Sequence, residues 1–188
     1  MVKPIPKDVE IKLDPKKYIV SQTDQKGIIE YGNDYFVEIS KYSERELIGQ
    51  PHNIIRHPDM PKIIFKMMWD RLKKGENIMA VVKNLAKDGS YYWVITEFEP
   101  RRDKTSNQII SYTAFRRAAS QEAIDTMSVI YKKLVELEKT GGMEASEKYI
   151  KELLDDKSMT YDEYVCSLIG NKNMFQTFFK SMKNMFAN

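Results

Sequence analysis

The stretch "YGNDYFVEISKYSERELIGQPHNIIRHPDMP", residues 31–61, joins helix-starting signals to a proline-rich loop that holds both histidines of the chain. Asn33 stands just before apolar residues at helical spacing, which predicts a short helix with an asparagine at its start. Ser43 and Glu46 form the pattern of a capping box, which predicts a second short helix. Two short helices are therefore expected before the loop.

The loop at residues 51–61 carries most of the chemistry. It gathers His52, Arg56, His57 and Asp59 among three prolines. A guanidinium grips phosphate oxygens, an imidazole stacks or hydrogen-bonds beside it, and Asp59 orients either cation or caps the next helix. A metal site is poorly supported, because Arg56 would oppose a cation between the imidazoles. The residues alone leave open a structural turn, a haem ligand and an organic cofactor pocket.

Strands are predicted on both sides of this region. The chain offers five β-prone runs, at residues 18–23, 28–31, 81–85, 91–98 and 109–116. A longer helix, with Pro61 near its start and Gly75 past its end, precedes the third run. This order predicts an α+β domain in which short helices cover one face of an antiparallel sheet. The run at 91–98 is apolar on both parities, so the other face is also covered, by the lead-in, a partner or a second copy.

The chain divides into four parts. Residues 1–17, rich in proline and charge, predict an irregular lead-in, and residues 18–118 form the α+β domain. Residues 119–170 predict a helical region, whose first helix has apolar residues at steps of three and four. Residues 171–188 predict an amphipathic helix with a phenylalanine and methionine stripe and lysines but no acid. That helix packs on the preceding ones, binds a partner helix, or contacts an anionic membrane surface.

Composition narrows the class of protein. The 188 residues carry a net charge of +3, with 30 basic and 27 acidic side chains interspersed, which gives little support to nucleic-acid binding. A single cysteine, Cys166, fits a reducing cytoplasm. No apolar run approaches the roughly 20 residues that cross a bilayer, so we expect any membrane contact to be peripheral or through a partner. No dinucleotide motif or nucleophile–base pair indicates an enzyme.

The motifs of residues 31–61, the Trp69-bearing helix, and "LKKGE", "VKN", "KDG" and "YYWV" after it together resemble a PAS domain of the aerotaxis-receptor type. The resemblance covers residues 18–118, and its most specific part is residues 49–61. It implies the PAS fold, a five-stranded antiparallel sheet with short helices on one face, followed here by a C-terminal α-helical region. It also implies non-covalent binding of FAD, whose redox state reports energy or oxygen supply.

The resemblance further implies which residues bind the cofactor. Asn84, in "VKN", is an amide that suits the alternating edge of a flavin, and the resemblance places it facing the ring. The complete implied set is Asn33, His52, Arg56, His57, Asp59, Trp69, Asn84 and Trp93. Without the resemblance, Asn84 also suits a bulge or an edge strand, and the tryptophans also suit a plain core. The family pattern has a tryptophan where this chain has Ile78, so we expect this position to alter cofactor affinity or potential.

We therefore expect a flavoprotein of energy taxis, a cytoplasmic redox sensor and not an enzyme. Its helical region would relay the signal to a chemoreceptor-type or other signalling protein, as in two-part energy-taxis systems, with a homodimer along helix 124–137 as a further option. The alternatives are a PAS sensor that binds haem b and a ligand-free PAS interaction module. A light-sensing cysteine–flavin adduct is set aside, because Cys166 lies beyond the domain.

Overall fold

Five antiparallel strands form one sheet in the order β2-β1-β5-β4-β3. They are β1 Ile19–Thr23, β2 Ile29–Gly32, β3 Ile78–Leu85, β4 Tyr91–Arg102 and β5 Ile109–Ala118. The computed structural model describes residues 3–169, and the helix predicted at residues 171–188 lies outside this range. The predicted α+β class with a five-stranded antiparallel sheet is confirmed.

The helices follow the predicted order. They are α1 Asp34–Ser40, α2 Glu44–Leu47, a 3₁₀ turn at His52–Ile55, α3 Lys62–Lys73, α4 Gln121–Asp156 and α5 Tyr161–Ser167. The predicted capping box before α2 is present, with Ser43 and Glu46 satisfying each other's backbone groups. Within α4, Gly142 has φ 71°, outside the helical range, so the helix bends at this residue. None of the helices within residues 3–169 is long and apolar enough to span a bilayer.

Strand β4 is longer than the sequence predicted, and it contains a proline. Pro100 pairs with Tyr112 of β5, while the pairing of β4 with β3 ends at Phe98. Beyond Phe98, β4 therefore has a strand on one side only, and the missing N–H of Pro100 removes no ladder hydrogen bond to β3. Strand β4 can therefore continue through Pro100, because β3 has already ended at that point and needs no hydrogen bond from this residue.

The helical region covers the free edge of β3. The Met79 N–H donates to Asp162 Oδ1 at 3.0 Å, and the Val81 carbonyl accepts from the Tyr131 hydroxyl at 2.6 Å. The Tyr131 hydroxyl also lies 2.9 Å from that of Tyr161, and both tyrosines are buried. Unpaired edge groups invite association with other strands, so α4 and α5 seal an edge that would otherwise be exposed.

The loop at residues 51–61 covers the other half of the same edge. Arg56 forms an isolated antiparallel β-bridge with Asn84. The Lys83 N–H points to Met60 Sδ at 3.2 Å, and Lys83 Nζ forms an ion pair with Asp59 at 2.7 Å. The loop is thus attached to β3 through both backbone and side chains, which fixes its position relative to the sheet.

The second face of the sheet is covered too, as its apolar pattern indicated. Trp93 stacks on Tyr131 of α4, with ring centroids 6.4 Å apart and planes at 20°. The lead-in runs beside the sheet, where the Ile11 N–H donates to the Tyr91 carbonyl at 2.7 Å. The lead-in pairs with β4 in the plane of the sheet, through the Glu10–Tyr91 bridge, so the cover shown on this face is α4, which was not among the three covers that the sequence left open.

The Tyr131 hydroxyl gives a test of the seal on β3. In Tyr131→Phe the Val81 carbonyl and the Tyr161 hydroxyl lose a buried partner, so we expect the free energy of unfolding to fall by about 1–3 kcal/mol. Urea unfolding followed by circular dichroism measures this. The matched control is Tyr31→Phe, at a residue that is 43% exposed. Equal stability of the two variants would show that the hydroxyl contributes nothing to the seal.

Candidate functional site

A cavity of about 280 Å³ lies between the sheet and α3, closed at one side by the loop at residues 51–61. Its helix side is apolar and consists of Phe65, Met68, Trp69 and Leu72. Its sheet and loop sides are more polar and include Ser21, Thr23, His52, Asn84, Tyr112 and Arg116. An apolar slot with few polar groups is typical of a site for an organic molecule, and the volume is near the lower end of the usual ~300–1,000 Å³.

Asn84 is the polar side chain of β3 that lines this cavity. It is 4% exposed, and within residues 3–169 its Nδ2 makes no hydrogen bond of standard geometry, with the hydroxyl of its cross-strand neighbour Tyr92 as the one polar group that interacts with it. A buried amide without a partner costs about 1–3 kcal/mol, which a ligand with an acceptor at this position would recover. The side chain therefore fits a flavin edge, where donors and acceptors alternate.

His52 and Arg116 form a buried pair in the cavity wall. Arg116 Nη2 lies 2.9 Å from His52 Nε2, and Ser21 Oγ lies 3.0 Å from both His52 Nε2 and Arg116 Nη1. Because a guanidinium only donates, His52 Nε2 accepts and the ring is neutral, with its proton on Nδ1. Burial, helped by the charge of Arg116, lowers the pKa of His52 to about 3. His52 is half-buried as a residue, but its ring stacks on the buried Phe36.

Arg116 was missed by the sequence analysis. Burial lowers its pKa only to about 10, so the 2% exposed side chain keeps its charge at neutral pH. Its hydrogen-bond partners within the described chain are neutral: Ser21 Oγ, the Ala114 carbonyl and His52. The sequence does contain a signal for it. Tyr112, Ala114 and Arg116 alternate along a central strand, so Arg116 lies on the same, inward face of the sheet as the other two. A buried cation without a carboxylate favours an electron-rich group in the cavity.

Trp69 lines the cavity from α3. Its ring meets Tyr112 edge-on, with centroids 5.4 Å apart and planes at 80°. Gly27, with φ +81°, lies so close that a Cβ there would be 3.2 Å from the indole. The turn between β1 and β2 therefore needs a glycine both for its backbone conformation and to make room for this wall of the cavity.

Arg56 lies at the boundary of the cavity. Its guanidinium stacks over the Phe65 ring at 4.0 Å from the centroid, and Nη2 donates to the Met60 carbonyl at 3.2 Å. Arg56 also lines a second cleft of about 700 Å³ on the other side of the loop. It is half-buried, and burial lowers the pKa of its guanidinium below its usual value.

Two other loop residues lie outside the lining of the cavity. His57 is 4% exposed and borders the second cleft, with Nδ1 accepting from the Asp59 N–H at 3.1 Å. Burial, and then the charge of Lys83, lower the pKa of His57. Asp59 does not cap α3, an option that the sequence had left open. Glu138 of α4 caps it, accepting from the first two N–H groups of the helix at 2.9 Å.

The remaining predicted residues also lie elsewhere. Asn33 begins α1, and its Oδ1 accepts from the Phe36 and Val20 N–H groups, both at 3.0 Å. Trp93 lies on the opposite sheet face, and Ile78 is buried at the start of β3. The cavity thus brings together four predicted residues, namely His52, Arg56, Trp69 and Asn84. Roles for Asn33, His57, Asp59 and Trp93 in cofactor binding stay predictions.

The low pKa of His52 predicts a pH dependence of stability. Between about pH 6.5 and about pH 3 the unfolded chain binds a proton at His52 that the folded protein does not. Stability therefore falls on acidification through this window, by at most about 1.4 kcal/mol per pH unit for one group. His52→Gln should flatten the plot of unfolding free energy against pH, measured by urea titration. Parallel plots for the two proteins would contradict the assignment.

Comparison with known proteins identifies the domain. Residues 29–115 match the sequence model of the PAS fold. The chain is 43% identical over 116 residues to the aerotaxis receptor of Escherichia coli strain K12. This match covers 62% of this chain and 22% of the receptor. It is 26% identical over 81 residues to the biofilm dispersion protein BdlA of Pseudomonas aeruginosa, which covers 43% of this chain and 19% of that protein. The chain thus spans about a fifth of these relatives.

Two solved structures share the fold. A light-oxygen-voltage domain studied with a flavin analogue has a TM-score of 0.52 at 20% identity, over 58% of this chain and 82% of that one. A PAS domain from Colwellia psychrerythraea has a TM-score of 0.50 at 21% identity, over 55% of this chain and 87% of that one. The domain described here therefore has the PAS fold, and its sequence is similar to that of the aerotaxis receptor of Escherichia coli.

Proposed function

We propose that this PAS domain binds FAD non-covalently in the cavity under α3 and senses the redox or energy state of the cell. The observation that carries the proposal is the buried Asn84 amide, whose Nδ2 makes no hydrogen bond of standard geometry within residues 3–169, in an apolar slot beside the His52–Arg116 pair. A relative named for aerotaxis and a light-oxygen-voltage domain studied with a flavin analogue support the same cofactor class. A flavin, when bound, supplies reversible uptake of electrons and protons at its ring system.

The residues of the cavity suit the parts of a flavin ring. Asn84 offers both a donor and an acceptor to the polar edge, while Met68 and Trp69 provide an apolar cover over the ring. Arg116 keeps a fixed positive charge in a dry wall, where it stabilises electron density more strongly than it would in water. These side chains would therefore bind the ring and favour its electron-rich form.

The state of the histidines favours a flavin over haem b. An axial ligand needs a ring nitrogen that is free to face the iron. In His52 the Nε2 atom already accepts from Arg116, and His57 lies outside the lining of the cavity. Either histidine would have to leave its present partners to serve as a haem ligand.

Strand β3 offers one route from the cavity to the helical region. Asn84 faces the cavity from this strand, and the Met79 and Val81 backbone groups contact α5 and α4. A change in hydrogen bonding at Asn84 that shifts β3 along its length would therefore alter the docking of both helices.

Helix α3 offers a second route. The helical region holds it at both ends, through Glu138 at its N-terminus and Asp162 at Arg71 near its C-terminus. Between these ends, α3 covers the cavity with apolar side chains. We infer that a ring whose charge or protonation changes biases the helical region between two arrangements, which a chemoreceptor-type or other signalling protein reads.

Cofactor content tests the site directly. Freshly purified protein should show the structured blue absorption band of a flavin, and Asn84→Ala should lower flavin affinity about tenfold, the effect of losing ~1.4 kcal/mol. The matched control is Asn77→Ala, at an exposed asparagine just before β3. Absorption spectra and thermal release of the cofactor measure both.

The other outcomes are equally clear. An intense Soret band would mean haem, and a protein that takes up neither cofactor would favour the ligand-free interaction module. Full retention of FAD in both Arg56→Ala and Asn84→Ala, with the fold intact by circular dichroism, would reject the site assignment.

Amide hydrogen exchange tests the relay. We expect exchange in α4 and α5 to differ between the oxidised and reduced forms of the flavin-loaded protein, because β3 and α3 contact both the cavity and these helices. The cofactor-free protein with and without reductant is the control. Identical exchange of the two helices in both redox forms would remove the basis for relay through them.

A further inference from the structure

The second cleft adjoins the cavity, and it is built from five parts of the chain, one of which is Leu85 at the end of β3. It has a volume of about 700 Å³ and shares Asn53 and Arg56 with the cavity. The lead-in, the loop at residues 51–61, the start of α3 and the middle of α4 all contribute to it. A ligand that extends from the cavity past Arg56 would therefore enter a space bounded partly by the helical region.

The cleft is strongly basic. Lys3, Lys62 and Lys139 line it together with Arg56, and no carboxylate within residues 3–169 forms an ion pair with any of these lysines. The one acidic residue of the lining is Glu138, whose two oxygens already accept from the Lys62 and Ile63 N–H groups. Glu138 keeps its negative charge and acts on Arg56, but the four cations outnumber it, so the described lining of the cleft has a net positive charge.

The largest part of the rest of the lining is apolar. Its members are Pro4, Pro6, Pro58, Met60, Leu85 and Val135. Prolines lose little conformational freedom on contact, so this apolar surface suits an aromatic base. The low pKa of His57 keeps this imidazole neutral at physiological pH, so it adds hydrogen-bonding capacity and no charge.

We propose, building on the flavin site of the preceding section, that this cleft binds the diphosphate and adenosine part of FAD. Arg56 contacts the phosphates where the two spaces meet, and Lys62 and Lys139 neutralise them as mobile point charges. Lys139 belongs to α4, so the helical region forms part of the cofactor site. The nucleotide end of FAD therefore contacts both the PAS domain and the helical region. A flavin that lacks this end contacts only the PAS domain.

The affinities of riboflavin and FAD for the cofactor-free protein test this. Flavin fluorescence quenching should show FAD binding at least about tenfold more tightly than riboflavin, with the gap narrowing as salt rises. The double variant Lys62→Gln/Lys139→Gln should lose about tenfold in FAD affinity and retain its riboflavin affinity. Lys73→Gln/Lys151→Gln, two exposed lysines on the same helices but outside the cleft, is the matched control.

A competition arm separates the nucleotide end from the ring. ADP alone should compete with FAD for the wild-type protein and leave riboflavin binding unchanged. Equal affinities for the two flavins, or equal losses of both in the Lys62/Lys139 variant, would overturn the cleft assignment while the flavin site in the cavity stands. If neither flavin binds, the flavin site falls and the cleft assignment falls with it.

Discussion

The outer edge of β3 is the constraint on which the rest of the structure depends. A strand at the end of a sheet presents backbone groups that need partners, and here those partners come from outside the sheet. Asp162 and Tyr131 satisfy one half of the edge, and the bridge between Arg56 and Asn84 satisfies the other. Residues 18–118 therefore do not satisfy this edge by themselves, because the helical region completes the hydrogen bonding of one half of it.

The same edge explains why the cavity lies where it does. The loop that closes the cavity is held to β3 by the bridge at Arg56, so the strand that carries Asn84 also places the cavity wall. Across the sheet, Arg116 keeps a charge in a dry environment with only neutral partners in the described chain. Burying such a group is costly without a compensating partner, and this cost is characteristic of a binding site.

Local signals in the sequence predicted local structure well. The capping box before α2, the asparagine at the start of α1 and the five strands all follow from residues close together in the chain. The misses are tertiary. Glu138 caps a helix about 75 residues away, which no local pattern encodes. The two-sided apolar pattern of β4 predicted two covered faces, but it could not say that Trp93 faces the helical region. The sequence signal for Arg116 is its alternation with Tyr112 and Ala114 along β5, which places all three on the inward face of the sheet.

Gly142 determines how far α4 extends from the domain. Its positive φ makes a glycine necessary, while a Cβ built there meets nothing within 4 Å, so backbone conformation alone demands the residue. Without the bend, residues 143–156 would continue α4 as a rod of about 20 Å. Instead they fold back, so that Ile150 is buried and Glu147 pairs with Lys66 of α3. The backbone conformation of this one residue therefore decides whether residues 143–156 pack against the rest of the chain or extend away from it, where another protein could contact them.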